Sequence, residues 1–321
     1  MTGRRGDAPA SGEQHRLRRD GAHGEVQATL TQLAAGIRQL SVGGIDLVES
    51  YPEDRAAPMG AGIVLVPWPN RVRNATWSLH GVAQQLDVTE PSLNNATHGL
   101  LRNTGYRSTL VRDDEVILAA EIFPRDGYPF RLDTSVHYVL ADDGLTVRHL
   151  LHNRSADAAP VAVGAHPYLT LGDVPTRELS LRIAADRYFA VDDQLIPVAE
   201  YDVSGTAFDL RAGQPVAGLD MNVGYSQLRR DEGLSRHRLT ARDGRFVELW
   251  ADADFDFLQV YTPHDFPRGG GTGLAVAIEP MSAAADALNS GRGLRWLDPG
   301  ESWSLSWGIR YGRDGLQELP V

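Results

Sequence analysis

Glu279 closes an apolar run, Leu274-Ala275-Val276-Ala277-Ile278, and Pro280 follows it at once. Glutamate is rarely buried without a partner, so a carboxylate delivered by such a strand is expected either in water or in a cleft beside Arg or His. His166 is delivered in the same way, with Val163-Gly164-Ala165 before it and Pro167 after it. The proline biases His166 toward an extended conformation and removes a ladder donor just beyond it. His98 stands between Asn94-Asn95-Ala96-Thr97 and Gly99-Leu100, where small neighbours let a ligand approach imidazole and backbone together. A carboxylate and an imidazole brought to one place supply a general base and a general acid.

Other segments offer groups to hold a ligand. Leu65-Val66-Pro67-Trp68-Pro69-Asn70-Arg71 combines two stiffening prolines, a flat apolar face on Trp68, the amide of Asn70 and the rigid donor fork of Arg71. Asp220-Met221-Asn222 and Phe257-Leu258-Gln259-Val260-Tyr261 add polar groups able to bind hydroxyls. Taken singly, each segment reads equally as a surface turn or a solvated strand end. Convergence alone would make a site of them.

Absences narrow the chemistry further. The 321 residues include no Cys, and all 31 basic residues are Arg, since the sequence contains no Lys. Thiolate nucleophiles, Cys-bound zinc, iron–sulfur clusters, Schiff-base lysines and Walker-type phosphate loops are therefore excluded. A formal net charge of -11 disfavours nucleic acid, which calls for a basic face. No apolar run approaches the roughly 20 residues that span a bilayer, and no signal-peptide core precedes the first strand. A cytoplasmic protein with a neutral small-molecule partner is expected.

The elements that must carry these residues are strands. Leu132, Thr134, Val136, Tyr138 and Leu140 alternate, then Leu145, Val147, His149 and Leu151 alternate after a turn at Asp142-Asp143-Gly144. Further hairpins are expected at Gly43-Gly44, His80-Gly81 and Asp243-Gly244. Trp303, Leu305, Trp307, Ile309 and Tyr311 mark a closing strand. Helical periodicity is confined to a short alanine-rich piece over residues 282–288. Strands joined by turns point to an all-β, antiparallel, single-domain sandwich over residues 27–321, with residues 1–26 as a disordered Arg-rich tail.

In this order, Pro67-Trp68-Pro69-Asn70-Arg71, His98-Gly99-Leu100, His166-Pro167-Tyr168, Glu279-Pro280-Met281, Asp286-Ala287-Leu288-Asn289 and Leu297-Asp298-Pro299-Gly300-Glu301 resemble the aldose 1-epimerase (galactose mutarotase) family. The resemblance runs from about Gly60 to the end of the chain. It implies a β-supersandwich with an open cleft, no cofactor and no metal, acting on a free hexose such as glucose or galactose as a monomer or homodimer. Carried over residue by residue, it makes Glu279 the base at the anomeric hydroxyl and His166 the acid at the ring oxygen. His98 would assist there or hold the sugar, while Arg71, Asp220 and Gln259 bind hydroxyls with Asn70 and Trp68 beside them. The sequence departs from the common family pattern at Val163-Gly164-Ala165, Tyr168-Leu169-Thr170-Leu171 and Asp220-Met221-Asn222, which leaves the particular sugar open.

An imidazolium with pKa near 6.5 and a carboxylate near 4.3 coexist between those values. Attraction between them is expected to raise the first and lower the second. Three alternatives remain. A hexose-6-phosphate mutarotase would use Arg73 or Arg102 for the phosphate. A glycoside hydrolase would pair Glu279 with Asp220. A sugar-binding protein of the same fold would need no acid and no base.

Overall fold

The structure, a computed structural model, describes residues 9–314. Leu132, Thr134, Val136, Tyr138 and Leu140 turn inward along Leu132–Ala141, and Leu145, Val147, His149 and Leu151 continue the same face along Gly144–Asn153. The hairpins at Gly43-Gly44, His80-Gly81 and Asp243-Gly244 are all formed. At the first two, both turn residues take positive φ, as two-residue hairpins require.

The closing strand Ser302–Arg313 pairs with Gly144–Asn153 on one side and Arg245–Ala251 on the other, which makes it a central member of a ten-stranded sheet. Its inward Trp307 donates an indole hydrogen bond of 2.9 Å to His149 Nε2, both side chains being fully buried. Burial pushes the His149 pKa down to about 3, so the ring is a neutral acceptor and a core residue.

A second, eight-stranded sheet positions the candidate site. Its order runs Pro197–Asp202, Ala185–Val191, Asn222–Leu228, Phe257–Tyr261, Val276–Met281, Gly164–Ala165 and Val64–Leu65, with Tyr168–Leu169 also pairing to Val276–Met281. One continuous apolar core joins it to the large sheet: Val223, Leu258 and Ile278 belong to the same cluster as Val136, Leu249 and Trp307. Every strand ladder is antiparallel. Among the described residues, no helix is long and apolar enough to cross a membrane.

Two expectations need correction. Residues 14–26 are not part of a tail: Gln14–Gly21 and Gly24–Thr31 form a hairpin in a four-stranded sheet completed by Ile37–Val42 and Ile45–Asp46. Leu17 and Val26 are buried in the core, while Arg16 pairs with Glu53 and Arg19 with Asp114 and Asp142. The strand is hard to see in sequence because it lies at a sheet edge, where outward Arg residues discourage further pairing, and Leu17 is its one apolar inward residue. Residues 1–8 lie outside the described residues.

The second concerns only the place of the helical piece, which the sequence puts at residues 282–288 and which is too brief to stand as an independent helix. Helix is limited to Ala287–Ser290, because Asp286 takes a left-handed conformation (φ 61°) that a right-handed helix does not continue. Ala283 and Ala287 instead pack closely against Ala162.

The hairpin predicts a stability effect. A chain starting at Gln27 is expected to lose roughly 3–6 kcal/mol, since burial of one Leu and one Val is worth about 1.5–3 kcal/mol each. Urea denaturation of the two chains measures it; equal midpoints would return the segment to the status of a tail.

Candidate active site

The strand Val276–Met281 is buried on both faces. Val276 and Ile278 enter the main core, so the two-residue period turns Ala277, Glu279 and Met281 the other way. Register sets Gln259 across from Glu279, and Gly224 across from Gln259. Three adjacent strands thus present one row.

On the other side of Glu279, Gly164 pairs with both Met281 and Leu65. At His166, the N–H donates to the Ile63 carbonyl (3.0 Å) and the carbonyl accepts from Gly62 N–H (2.8 Å). Pro167 has no N–H to give, but its carbonyl accepts from Ile278 N–H (3.2 Å), which fixes His166 against the glutamate strand. Tyr168 stacks on the imidazole at 5.1 Å and 27°, and is itself packed on Phe266. His166 Nε2 consequently lies 3.5 Å from Glu279 Oε1, with both side chains buried.

A separate strip brings the remaining groups. Arg71–Val72 pairs with Ala96–Thr97, after which His98 N–H donates to the Asn70 carbonyl at 2.9 Å. Asn70 and His98 both hold left-handed backbone (φ 54° and 63°), a region non-glycine residues seldom occupy. Gly99 follows at φ 71°, where a Cβ would meet the Val66 carbonyl at 2.1 Å. This geometry sets the His98 ring edge-on to His166 at 5.4 Å.

Arg71 is doubly anchored. Its guanidinium donates to both oxygens of Glu90 (2.7 and 2.8 Å), and its carbonyl accepts from Asp286 N–H at 2.6 Å. The Asp286 carboxylate in turn accepts from Arg73 N–H and the Asn289 amide. Amides continue the wall: Asn70 Nδ2 donates to Gln259 Oε1 (3.3 Å), and Gln259 Nε2 donates to Asn222 Oδ1 (2.8 Å).

Of the residues singled out in sequence, Asn70, Arg71, His98, His166, Gln259 and Glu279 line one cavity of ≈ 250 Å³. Trp68 does not line it. Its indole is buried in the main core against Tyr128, where so large an apolar surface is most favourably placed. Asp220 does not line it either: it is exposed, just before the strand Asn222–Leu228, and Asn222 is the member of that segment that reaches the cavity.

Met59, Glu90 and Tyr261 also contribute to the lining. Glu90 precedes Pro91 as Glu279 precedes Pro280, a signal that sequence reading had available. Met59 carries none.

Burial dominates the electrostatics. It raises the Glu279 pKa to about 8 against the opposing pull of Arg71. It lowers the His166 pKa to about 4, helped by Arg102 and Arg71 and opposed by a backbone hydrogen bond. His98 falls well below its ordinary value, by burial first and then by His166 and the two arginines. The expected order is reversed: desolvation favours the neutral form of each group, and at pH 7 the pair holds one proton, on the carboxyl. His166 Nδ1, His98 Nδ1 and Glu279 Oε2 are buried without a hydrogen-bond partner among the described residues, open valences that suit a polar ligand. No grouping of three or more His, Asp or Glu among the described residues is arranged to hold a metal ion.

Comparison with known proteins bears on the fold and the family. The profile of the aldose 1-epimerase family matches residues 21–310. The uncharacterized protein YihR of Escherichia coli (strain K12) is 31% identical over 294 residues, covering 91% of this chain and 92% of its own. Among solved structures, a galactose mutarotase-like protein from Clostridium acetobutylicum superposes with a TM-score of 0.80 at 17% identity, covering 92% of this chain and 95% of that one. The GalM/aldose epimerase homologue from C. elegans gives 0.80 at 20% identity, covering 94% and 99%.

The raised carboxyl pKa carries a stability consequence. Below the unfolded value near 4.5 the Glu279 carboxyl is neutral in both states; as pH rises toward 8 the unfolded chain loses the proton while the folded chain keeps it, and folding becomes less favourable. Glu279→Gln is therefore expected to match the native chain at pH 4.5 and to exceed it by roughly 2–5 kcal/mol at pH 8.5. Denaturant titrations at the two pH values measure the gap; a gap independent of pH would show an unperturbed carboxyl.

Proposed function

The chain belongs to the aldose 1-epimerase family, and from that premise we propose that it interconverts the α and β anomers of a free aldohexose, with Glu279 and His166 moving the protons. The observation that carries this reading is the buried Glu279–His166 pair, 3.5 Å apart and holding a single proton between them. Ring opening needs one proton removed from the anomeric hydroxyl and one delivered to the ring oxygen. A shift of the shared proton from carboxyl to imidazole, across the existing contact, gives the carboxylate and imidazolium that do both. As the C1–O5 bond breaks, the sugar becomes the open aldehyde, and rotation about C1–C2 presents the other carbonyl face. Closure reverses both transfers and restores the pair.

The other lining groups have distinct tasks in this reading. His98, held neutral by burial, donates or accepts at the ring oxygen without bringing a charge. Arg71, Asn70, Gln259 and Asn222 hold hydroxyls, and Tyr261 and Met59 supply the less polar contact that Trp68 does not.

The arrangement favours a free sugar over the alternatives. Arg73 is engaged by Asp192 and Gln194, and neither it nor Arg102 lines the cavity, which weakens the phosphate reading. Both oxygens of Glu90 are taken by Arg71 and Asp220 is outside, so among the described residues the cavity offers no second carboxyl free of an ion pair for glycoside hydrolysis. A binder would have no use for a desolvated acid–base pair.

Polarimetry of freshly dissolved α-D-glucose and α-D-galactose, corrected for spontaneous relaxation, tests the proposal. The enzyme is expected to speed relaxation to the same endpoint, and Glu279→Gln or His166→Asn to slow turnover by roughly 10²–10⁴-fold. The competent state carries one proton on the pair, so kcat/KM is expected to follow a bell with limbs near 4, where His166 takes a second proton, and near 8, where the proton is lost. Native rates in either variant would reject the roles assigned.

A further inference from the structure

A narrow slot adjoins the catalytic cavity and shares Asn70, Arg71, Asn222 and Gln259 with it. Its floor is Gly224 and its sides are Phe189, Val191, Leu195, Pro197, Met281 and Ala285. The free space is ≈ 10 Å³, about what one water or one methyl group occupies.

Gly224 leaves this space open. It lies inside the strand Asn222–Leu228 without left-handed φ, so backbone geometry does not call for glycine, and glycine within a strand is unfavourable unless something must approach closely. A Cβ there would stand 3.0 Å from Phe189 Cδ2 and 3.2 Å from Gln259 Oε1, closing the slot. Phe189 cannot readily swing aside, because Arg292 covers one face at 4.6 Å and Phe257 stacks on it. Arg292 is itself held by Glu200.

The row Glu279, Gln259, Gly224 sets the slot two strand spacings, about 9–10 Å, from the carboxyl. A pyranose whose anomeric hydroxyl meets Glu279 lays its opposite edge over Gln259 and at the slot mouth. A hydroxyl pushed past the rim would face apolar walls, and the Asn70 and Gln259 amides at the rim already bond one another and Asn222, so its desolvation would be poorly compensated. We propose that the Gly224 slot is a specificity subsite that takes a compact apolar group on the sugar edge remote from the anomeric carbon, a methyl or a ring C–H where common hexoses carry a hydroxyl. This rests on the epimerase reading for its substrate class.

Paired free sugars decide it: D-galactose with 6-deoxy-D-galactose, and D-glucose with its 3-, 4- and 6-deoxy forms, each measured for kcat/KM by polarimetry and for Kd by ligand-observed NMR. At least one deoxy sugar is expected to outperform its parent on the native enzyme. Gly224→Ala is expected to reduce that sugar about 10–200-fold, the range for one methylene in an apolar pocket, while its parent falls less. Phe189→Leu widens the slot and is expected to bring the two sugars closer together, which keeps the test intact if the glycine variant does not fold. Equal losses for parent and deoxy sugars in both variants, or no deoxy sugar preferred or bound, would overturn the subsite. If the native chain accelerates no sugar, the epimerase reading fails, and the Kd ratios still decide the slot.

Discussion

A carboxyl and an imidazole kept together almost without water are the constraint around which this fold is arranged. Neither Glu279 nor His166 gains from burial, and each shifts toward its neutral form there. Such a contact persists only if the chain leaves neither group an alternative. Glu279 is fixed by ladders on both sides of its strand. His166 is fixed by its own N–H and carbonyl, by the proline after it, and by the ring of Tyr168. The stability comes from the sheets behind, where Val276 and Ile278 on the same strand join the main core.

Unusual backbone marks the same place. Asn70 and His98, in the strip that presents Arg71 and the second imidazole, and Asp286, bonded to that strip, are non-glycine residues in left-handed backbone. Asp286 links them: it accepts from Arg73 N–H, and its own N–H donates to the Arg71 carbonyl. Unusual conformations of this kind are kept when surrounding bonds over-determine them. The Asp286-Ala287-Leu288-Asn289 segment, far from Arg71 in sequence, is thereby explained as a clamp on the strip that carries it.

The sequence made the large sheet legible because long strands with one buried face must alternate, as Leu132–Ala141 and Ser302–Arg313 do. It hid Gln14–Gly21, where charged outward residues mask a single buried leucine. In the site, His98, His166 and Glu279 stood out because polar residues interrupt apolar or Gly/Pro-rich runs. Trp68 misled because the same residue type serves as a ligand platform or as core, and the choice depends on which way the chain turns after Pro67. Asp220 misled for the opposite reason: two residues on, Asn222 opens a strand and lines the cavity, while Asp220 stays outside both. The proton order was not legible at all, since pairwise attraction can be read from residue types whereas desolvation depends on the completed burial.

Charge balance ties the cavity to its ligand. The guanidinium of Arg71 is matched by Glu90, and the catalytic pair, holding one proton, is neutral as a unit. A neutral sugar offers no net charge for the remaining field, to which Arg102 contributes, to attract or repel, so orientation must come from directional hydrogen bonds to fixed donors and acceptors. Glu90 therefore does more than anchor a side chain. The positive charge of Arg71 stabilises the ionised carboxyl of Glu279 and opposes a charged His166; without its partner it would pull the two titrations further down together. The Arg71–Glu90 pair thus adjusts the pH range, set mainly by burial, over which one proton remains on the catalytic pair, and it fixes the place where a hydroxyl is held in the proposed reading.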